Sequence, residues 1–221
     1  MNNRKKLVIF DLDGTLLNTI TDLGHSANYA LEKNGFPTHH LSSYTHFVGN
    51  GITRLIERVL PVEEREQAIV EQLRADFMSY YNEHLTATTE PYPGIEDMLR
   101  DLQAAGVKLA VATNKYQEAA TKLMLHYFPY IEWASISGQI EGGPVKPDPS
   151  VIFRILTDCP TAKADVMMVG DSGVDIETAR RACIESTGVS WGFRGVAELT
   201  AAYADYIINA PDELVSIVGA D

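Results

Sequence analysis

Leu7-Val8-Ile9-Phe10 is an unbroken apolar run that stops abruptly at Asp11-Leu12-Asp13-Gly14-Thr15. A strand with no polar residue on either side of its pleat must be covered on both faces. That pattern belongs to a parallel sheet held between two layers of helices. Two carboxylates one residue apart do not suit the inside of such a sheet. They are expected at its C-terminal mouth, where open α/β sheets bind ligands. Alone, Asp-x-Asp-Gly also suits an ordinary turn, so its meaning depends on the residues further along the chain.

From Gly94 onward, strand and helix patterns alternate. Apolar runs at 107–112, 133–137, 166–169, 186–189 and 206–208 read as strands. Helical spacing separates them: 95–105 closed by Gly106, 116–127, a helix opened by Asp148-Pro149 and running to 156, 173–183, and a last helix after Pro211. The region between 15 and 88 reads differently, with helices only. Ile20, Leu23, Ala27, Ala30 and Leu31 mark the first, which Gly35-Phe36-Pro37 ends. Runs at 52–60 and 63–85 come next, and 86–94, rich in Thr and Pro, is the clearest linker. The predicted fold class is α/β: a three-layer, Rossmann-like parallel sheet core formed by 1–15 and 88–221, with an all-helical insert at 16–87.

Charge and cysteine usage narrow the partners. With 221 residues, 45% of them hydrophobic, the chain is long enough for a main domain and a smaller one. A net charge of −12 and a pI near 4.9 disfavour nucleic acid and anionic membrane as partners. Cys159 and Cys183 show no metal-ligand spacing and read as thiols in a reducing compartment. Basic residues at 2–6 precede only four apolar residues, too few for a secretory signal, and no stretch approaches a membrane span. A cytoplasmic protein is expected. The six histidines are dispersed, without ligand spacing.

Three predicted strands end in polar residues: the first in Asp11 and Asp13, the second in Thr113-Asn114-Lys115, the third in Gly170-Asp171-Ser172-Gly173-Val174-Asp175. In a parallel sheet these ends share one edge, so four aspartates and a threonine converge. Four carboxylates cannot stay ionised together without a cation, and oxygen ligands at that density select a hard divalent ion, Mg²⁺ being the commonest. Lys146, in Val145-Lys146-Pro147-Asp148-Pro149, adds a fixed positive charge. Thr113 adds a hydroxyl, and Asn114 with its turn adds N–H donors. Together these make a site for a phosphoryl group. No Gly-rich nucleotide cradle is present.

These four segments, in this order and spacing, resemble the four motifs of the haloacid dehalogenase superfamily across essentially the whole core. The insert at 16–87 resembles that superfamily's C1-type cap. Within it, Phe47-Val48-Gly49-Asn50-Gly51 with Arg54, and the late Gly192-Phe193-Arg194-Gly195, resemble phosphoglycolate phosphatases. The resemblance implies a Mg²⁺-dependent phosphatase acting on a small phosphorylated metabolite, as a monomer or homodimer. Asp11 matches the nucleophile that becomes an aspartyl-phosphate, and Asp13 the general acid/base. Thr113 and Lys146 match the groups that hold the phosphoryl oxygens, with Asn114 and Arg54 as further substrate contacts. Asp11, Asp171 and the main-chain carbonyl of Asp13 match the metal ligands, and Asp175 the second carboxylate of the last motif. Asn18 stands where many relatives carry aspartate, and Gly142-Gly143-Pro144 is an unusual approach to Lys146. Phosphosugar mutases and pyrophosphatases share this core chemistry. A phosphoaspartate switch is the reading from another class; receiver domains, however, lack a large cap.

Overall fold

The computed structural model describes residues 4–220. Six parallel strands form the main sheet: β1 (Leu7–Phe10), β4 (Lys108–Tyr116), β5 (Trp133–Gln139), β6 (Val166–Gly170), β7 (Glu185–Val189) and β8 (Tyr206–Ile208). They lie in the order β5-β4-β1-β6-β7-β8. The first strand is therefore central, as its apolar sequence requires. Val8 and Phe10 face one apolar cluster, and Leu7 and Ile9 face the other. All four are at most 1% exposed, and burying each such side chain contributes roughly 1.5–3 kcal/mol.

Helices cover both faces. They are α5 (Ile95–Ala104), α6 (Gln117–Tyr127), α7 (Ser150–Asp158), α8 (Gly173–Ala182), α9 (Val196–Ala201) and α10 (Glu213–Ile217). Register fixes where the chemistry falls. Phe10 is paired with Val111 on one side and Val169 on the other. Asp11, Ala112 and Gly170 therefore stand level, and the polar residues beyond them share one edge.

The segment between β1 and β3 (Glu90–Pro91) carries α1 (Ile20–Lys33), α2 (Tyr44–Phe47), α3 (Ile52–Val59) and α4 (Gln67–Glu83). It is not purely helical, contrary to its sequence pattern. Leu17–Asn18 forms β2, which pairs antiparallel with β3, so the chain's two passages between core and insert run side by side. The turn ahead of β2 is tight: the Leu12 carbonyl accepts from the N–H groups of Thr15, Leu16 and Leu17. Asp22, in the first turn of α1, fastens the returning passage. Its carboxylate accepts both N–H groups and both hydroxyls of Thr88 and Thr89, at 2.6–3.1 Å. Burial alone would raise the Asp22 carboxyl, but those hydrogen bonds outweigh it and hold it below its usual value.

Other boundaries shift for local reasons. Residues 62–64 form a 3₁₀ turn, and because Glu66 is extended (ψ 144°) regular helix begins at Gln67 rather than at 63. The helix after Lys146 begins at Ser150, with the Asp148 carboxylate accepting the Ser150 N–H. β4 continues to Tyr116, four residues past its apolar run, because Thr113, Asn114 and Lys115 find buried partners at the strand end. No helix among the described residues is long and apolar enough to cross a membrane.

Candidate active site

The mouth of the sheet is a small set of interlocked ion pairs. Lys146 is 2% exposed. Its Nζ lies 2.8 Å from Asp11 Oδ1 and donates to Asp175 Oδ1 at 2.7 Å and to the Ala112 carbonyl at 2.8 Å. Burial pulls the ammonium down, but the two carboxylates outweigh it and leave it above its ordinary range. Lys146 is therefore a fixed cation at the end of β1.

Asp175 has both oxygens committed. Oδ1 takes Lys146, and Oδ2 accepts the N–H and hydroxyl of Ser172 in a capping box that starts α8. It orients Lys146 and the turn that carries Asp171. Asp171 Oδ2 accepts the Phe193 N–H at 2.6 Å, fixing its rotamer from the late loop. Two glycines make this approach possible. Gly14 has φ +84°, and a Cβ there would collide with the Asp171 carboxylate. A Cβ at Gly192 would come within 2.6 Å of Asp171 Oδ2 and 2.5 Å of the Gly14 carbonyl.

Asp11, Asp171 and Asp175 each place a carboxylate oxygen within 4.8 Å of the others, and all are buried. Burial pushes the Asp11 carboxyl up from 3.8 to about 6, with Lys146 opposing and the Asp175 charge adding. Burial, with the Asp175 and Asp11 charges adding, pushes Asp171 well above the usual range against the Phe193 N–H and Lys146. Lys146 therefore compensates the cluster only partly. A hard divalent cation fits this all-oxygen, electron-rich donor set. The Asp13 carboxylate is not in the cluster. Its Oδ1 accepts from the Thr19 hydroxyl at 2.7 Å and from Lys115 Nζ at 2.9 Å.

Thr113 is 3% exposed and lines the crevice, as expected. Asn114 reaches the site but its carboxamide is engaged: it pairs with both the N–H and the carbonyl of Lys146 and donates to the Gly49 carbonyl of the insert. That arrangement holds Lys146 in place. Arg54 is not brought to the crevice. It stands exposed on α3, paired with Glu57 one turn along. The insert's polar approach comes instead from Arg194 of the late loop, which donates to the Val48 carbonyl.

The crevice above Asp11 and Asp13 has an accessible volume of about 50 Å³. Leu23, Val48, Ile52, Leu55 and Tyr81 of the insert roof it. Drug-sized ligand sites run to about 300–1,000 Å³, so this crevice is small, and it is partly open to solvent. Lys115, a site residue the strand-end reading does not single out, lines the crevice beside Thr113 and Asn114, where β4 is irregular between Ala112 and Tyr116.

The haloacid dehalogenase-like hydrolase family model matches residues 8–189. A phosphoglycolate phosphatase of Agrobacterium fabrum is 36% identical over 195 residues, covering 86% of this chain and 82% of that protein. The Neisseria meningitidis phosphoglycolate phosphatase is 33% identical, covering 94% and 91%. A crystal structure from Lactobacillus delbrueckii subsp. bulgaricus, provisionally named a phosphoglycolate phosphatase, superposes with a TM-score of 0.91. It is 30% identical, covering 98% of this chain and 99% of that one.

Proposed function

The chain belongs to the haloacid dehalogenase-like hydrolase family, and on that premise we propose that it is a Mg²⁺-dependent phosphatase of 2-phosphoglycolate working through an aspartyl-phosphate. The observation that carries this reading is Lys146. One buried ammonium spans Asp11 and Asp175 at the end of the central strand, next to a carboxylate cluster that still lacks positive charge. The relatives' names supply the substrate.

In this reading Asp11 attacks phosphorus in line. A bond forms from its carboxylate oxygen as the bond to the leaving alkoxide breaks, and Asp13 gives that alkoxide a proton. Asp13, then a carboxylate, takes a proton from the water that attacks the phosphorus of the acyl-phosphate, and phosphate leaves. Thr113 and Lys146 hold the phosphoryl oxygens, and Asn114 keeps Lys146 in register. Asp11, Asp171 and the main-chain carbonyl of Asp13 would hold Mg²⁺, with Asp175 orienting Lys146 behind them. The ion would supply charge that offsets repulsion between Asp11 and the phosphate dianion. Residues 16–87 act as a cap that opens for the substrate and closes to exclude water, over a core of 1–15 and 88–221.

The test is phosphate release from a panel of phosphorylated metabolites, with and without EDTA. Turnover of 2-phosphoglycolate that chelation abolishes and Mg²⁺ restores is the expected result. Turnover untouched by chelation, or none on any phosphomonoester, would overturn it.

A further inference from the structure

Lys115 is a buried cation that this mechanism leaves without a task. It is 6% exposed. Its Nζ lies 2.9 and 3.2 Å from the two Asp13 oxygens and 4.8 Å from the centroid of the Tyr81 ring. The two site lysines divide the crevice between them. Lys146 stands on Asp11, the phosphorus side, and Lys115 on Asp13, the proton-donating side. A leaving oxygen must come within about 2.6–3.2 Å of Asp13 to take its proton. The Lys115 ammonium therefore neighbours whatever alcohol leaves.

The surroundings say what that alcohol carries. An ammonium has three donors, and the Asp13 carboxylate engages Lys115 through its two oxygens. The roof over Asp13 is apolar, from Leu23, Val48, Ile52 and Leu55. A polar substituent entering there loses water and needs a partner from the protein. Arg194 also lines the crevice but is turned to the Val48 carbonyl, and two further donors are at hand. One is Lys115. The other is the Tyr81 hydroxyl, on a fully buried ring lining the same space, which has no hydrogen-bond partner among the described residues. Burial pushes the Tyr81 phenol well above its ordinary range, so it stays an O–H donor.

We propose that Lys115, assisted by the Tyr81 hydroxyl, is the residue that selects the leaving group, accepting phosphate esters whose alcohol carries a carboxylate on the carbon next to the ester oxygen. The inference rests on the phosphatase reading above and deepens it. It places substrate choice on the end of β4 and on α4, not on Arg54. The crevice over Asp13 has only about 50 Å³ of accessible volume, which suits a short alcohol.

The experiment measures kcat and KM of the full chain with Mg²⁺ on two esters of one skeleton, 2-phosphoglycolate and 2-hydroxyethyl phosphate. The second replaces the carboxylate by a neutral hydroxymethyl group. Wild type should prefer the carboxylate ester by roughly 10–100-fold in kcat/KM, the range of a charge-assisted hydrogen bond. In Lys115→Met both esters lose activity together to the extent that Asp13 is less well held. Beyond that shared loss, the ratio between them should collapse to about unity, mainly through KM of the carboxylate ester. Lys115→Arg should keep most of the preference, and Tyr81→Phe should reduce it by roughly three- to tenfold. A methionine variant in which both esters fall equally and the ratio stays at its wild-type value overturns the proposal. If that variant does not fold, Tyr81→Phe decides: a ratio at its wild-type value overturns the proposal, and a roughly three- to tenfold reduction supports it. A wild type that hydrolyses neither ester overturns the substrate reading itself, and this subsite with it. One that hydrolyses both without preference overturns the subsite alone.

Discussion

Removing the nucleophile should stabilise the metal-free protein. Asp11 is 9% exposed, and burial moves its carboxyl from 3.8 to about 6 even with Lys146 beside it. A group that ionises at about 6 in the fold and at 3.8 in the unfolded chain favours folding fully below pH 3.8. That contribution is lost as the pH rises through 6. At pH 7.5 the ionised carboxylate leaves the fold less stable by about 3 kcal/mol, at about 1.36 kcal/mol per pKa unit. Asp11→Asn keeps the shape and removes the charge. It does not strand the ammonium, because Lys146 retains Asp175 at 2.7 Å and the Ala112 carbonyl at 2.8 Å. The variant should gain about 1–3 kcal/mol in EDTA at pH 7.5, or roughly 2–12 °C in Tm for a chain of this size. Most of that gap should close at pH 4.5. Thermal melts of both proteins at the two pH values, in EDTA and then in Mg²⁺, measure it, with phosphate release followed in parallel. Mg²⁺ should stabilise wild type more than the variant, which should show no turnover. A variant that melts below wild type in EDTA at pH 7.5, or by the same offset at both pH values, refutes the reasoning.

Other perturbations test the rest of the site. Lys146→Met leaves Asp11 and Asp175 facing each other without their cation, and should lower unfolding stability by about 3–5 kcal/mol in urea melts near neutral pH while abolishing turnover. Gly192→Ala forces the Asp171 side chain to move, so Mg²⁺ activation should require roughly 10–100-fold more ion, read from a titration of rate against Mg²⁺. Asp22→Asn should lose about 2–3 kcal/mol, because an amide cannot accept the four donors of Thr88 and Thr89. The wild-type carboxyl sits below its usual value, so its contribution is present above about pH 3.8 and fades as pH falls through the depressed pKa. The gap between the two proteins should therefore narrow in acid.

The sheet was legible because its central strands carry no polar residue. Leu7 to Phe10 and Val166 to Val169 can only be covered strands, and parallel pairing then brings their ends together. That reasoning brought Asp11, Thr113 and Asp171 to one edge without coordinates, and Lys146 was added from its loop ahead of the next helix. It did not reach residues whose roles depend on which side chain turns toward which. Lys115 and Thr19 both bond Asp13, yet neither follows from apolar periodicity. Arg54 was drawn in by its place on a cap helix, and the phase of α3 turns it to Glu57 and solvent. The pairing of β2 with β3 was invisible because two residues are too few to show a period.

That small pairing governs how the molecule can move and how it can change. Outgoing and returning passages are zipped together beside the Asp22 clamp, so the insert is hung from a single narrow strap. Such a joint allows rocking about one axis and resists twisting. The strap also lies outside the six-stranded sheet, so the insert's outer helices can be replaced without shifting that sheet, while Thr19 and Gly49 of the insert remain tied to Asp13 and Asn114. Chemistry and choice of substrate are thereby free to change separately, except at Lys115, which stands on the sheet and faces the roof.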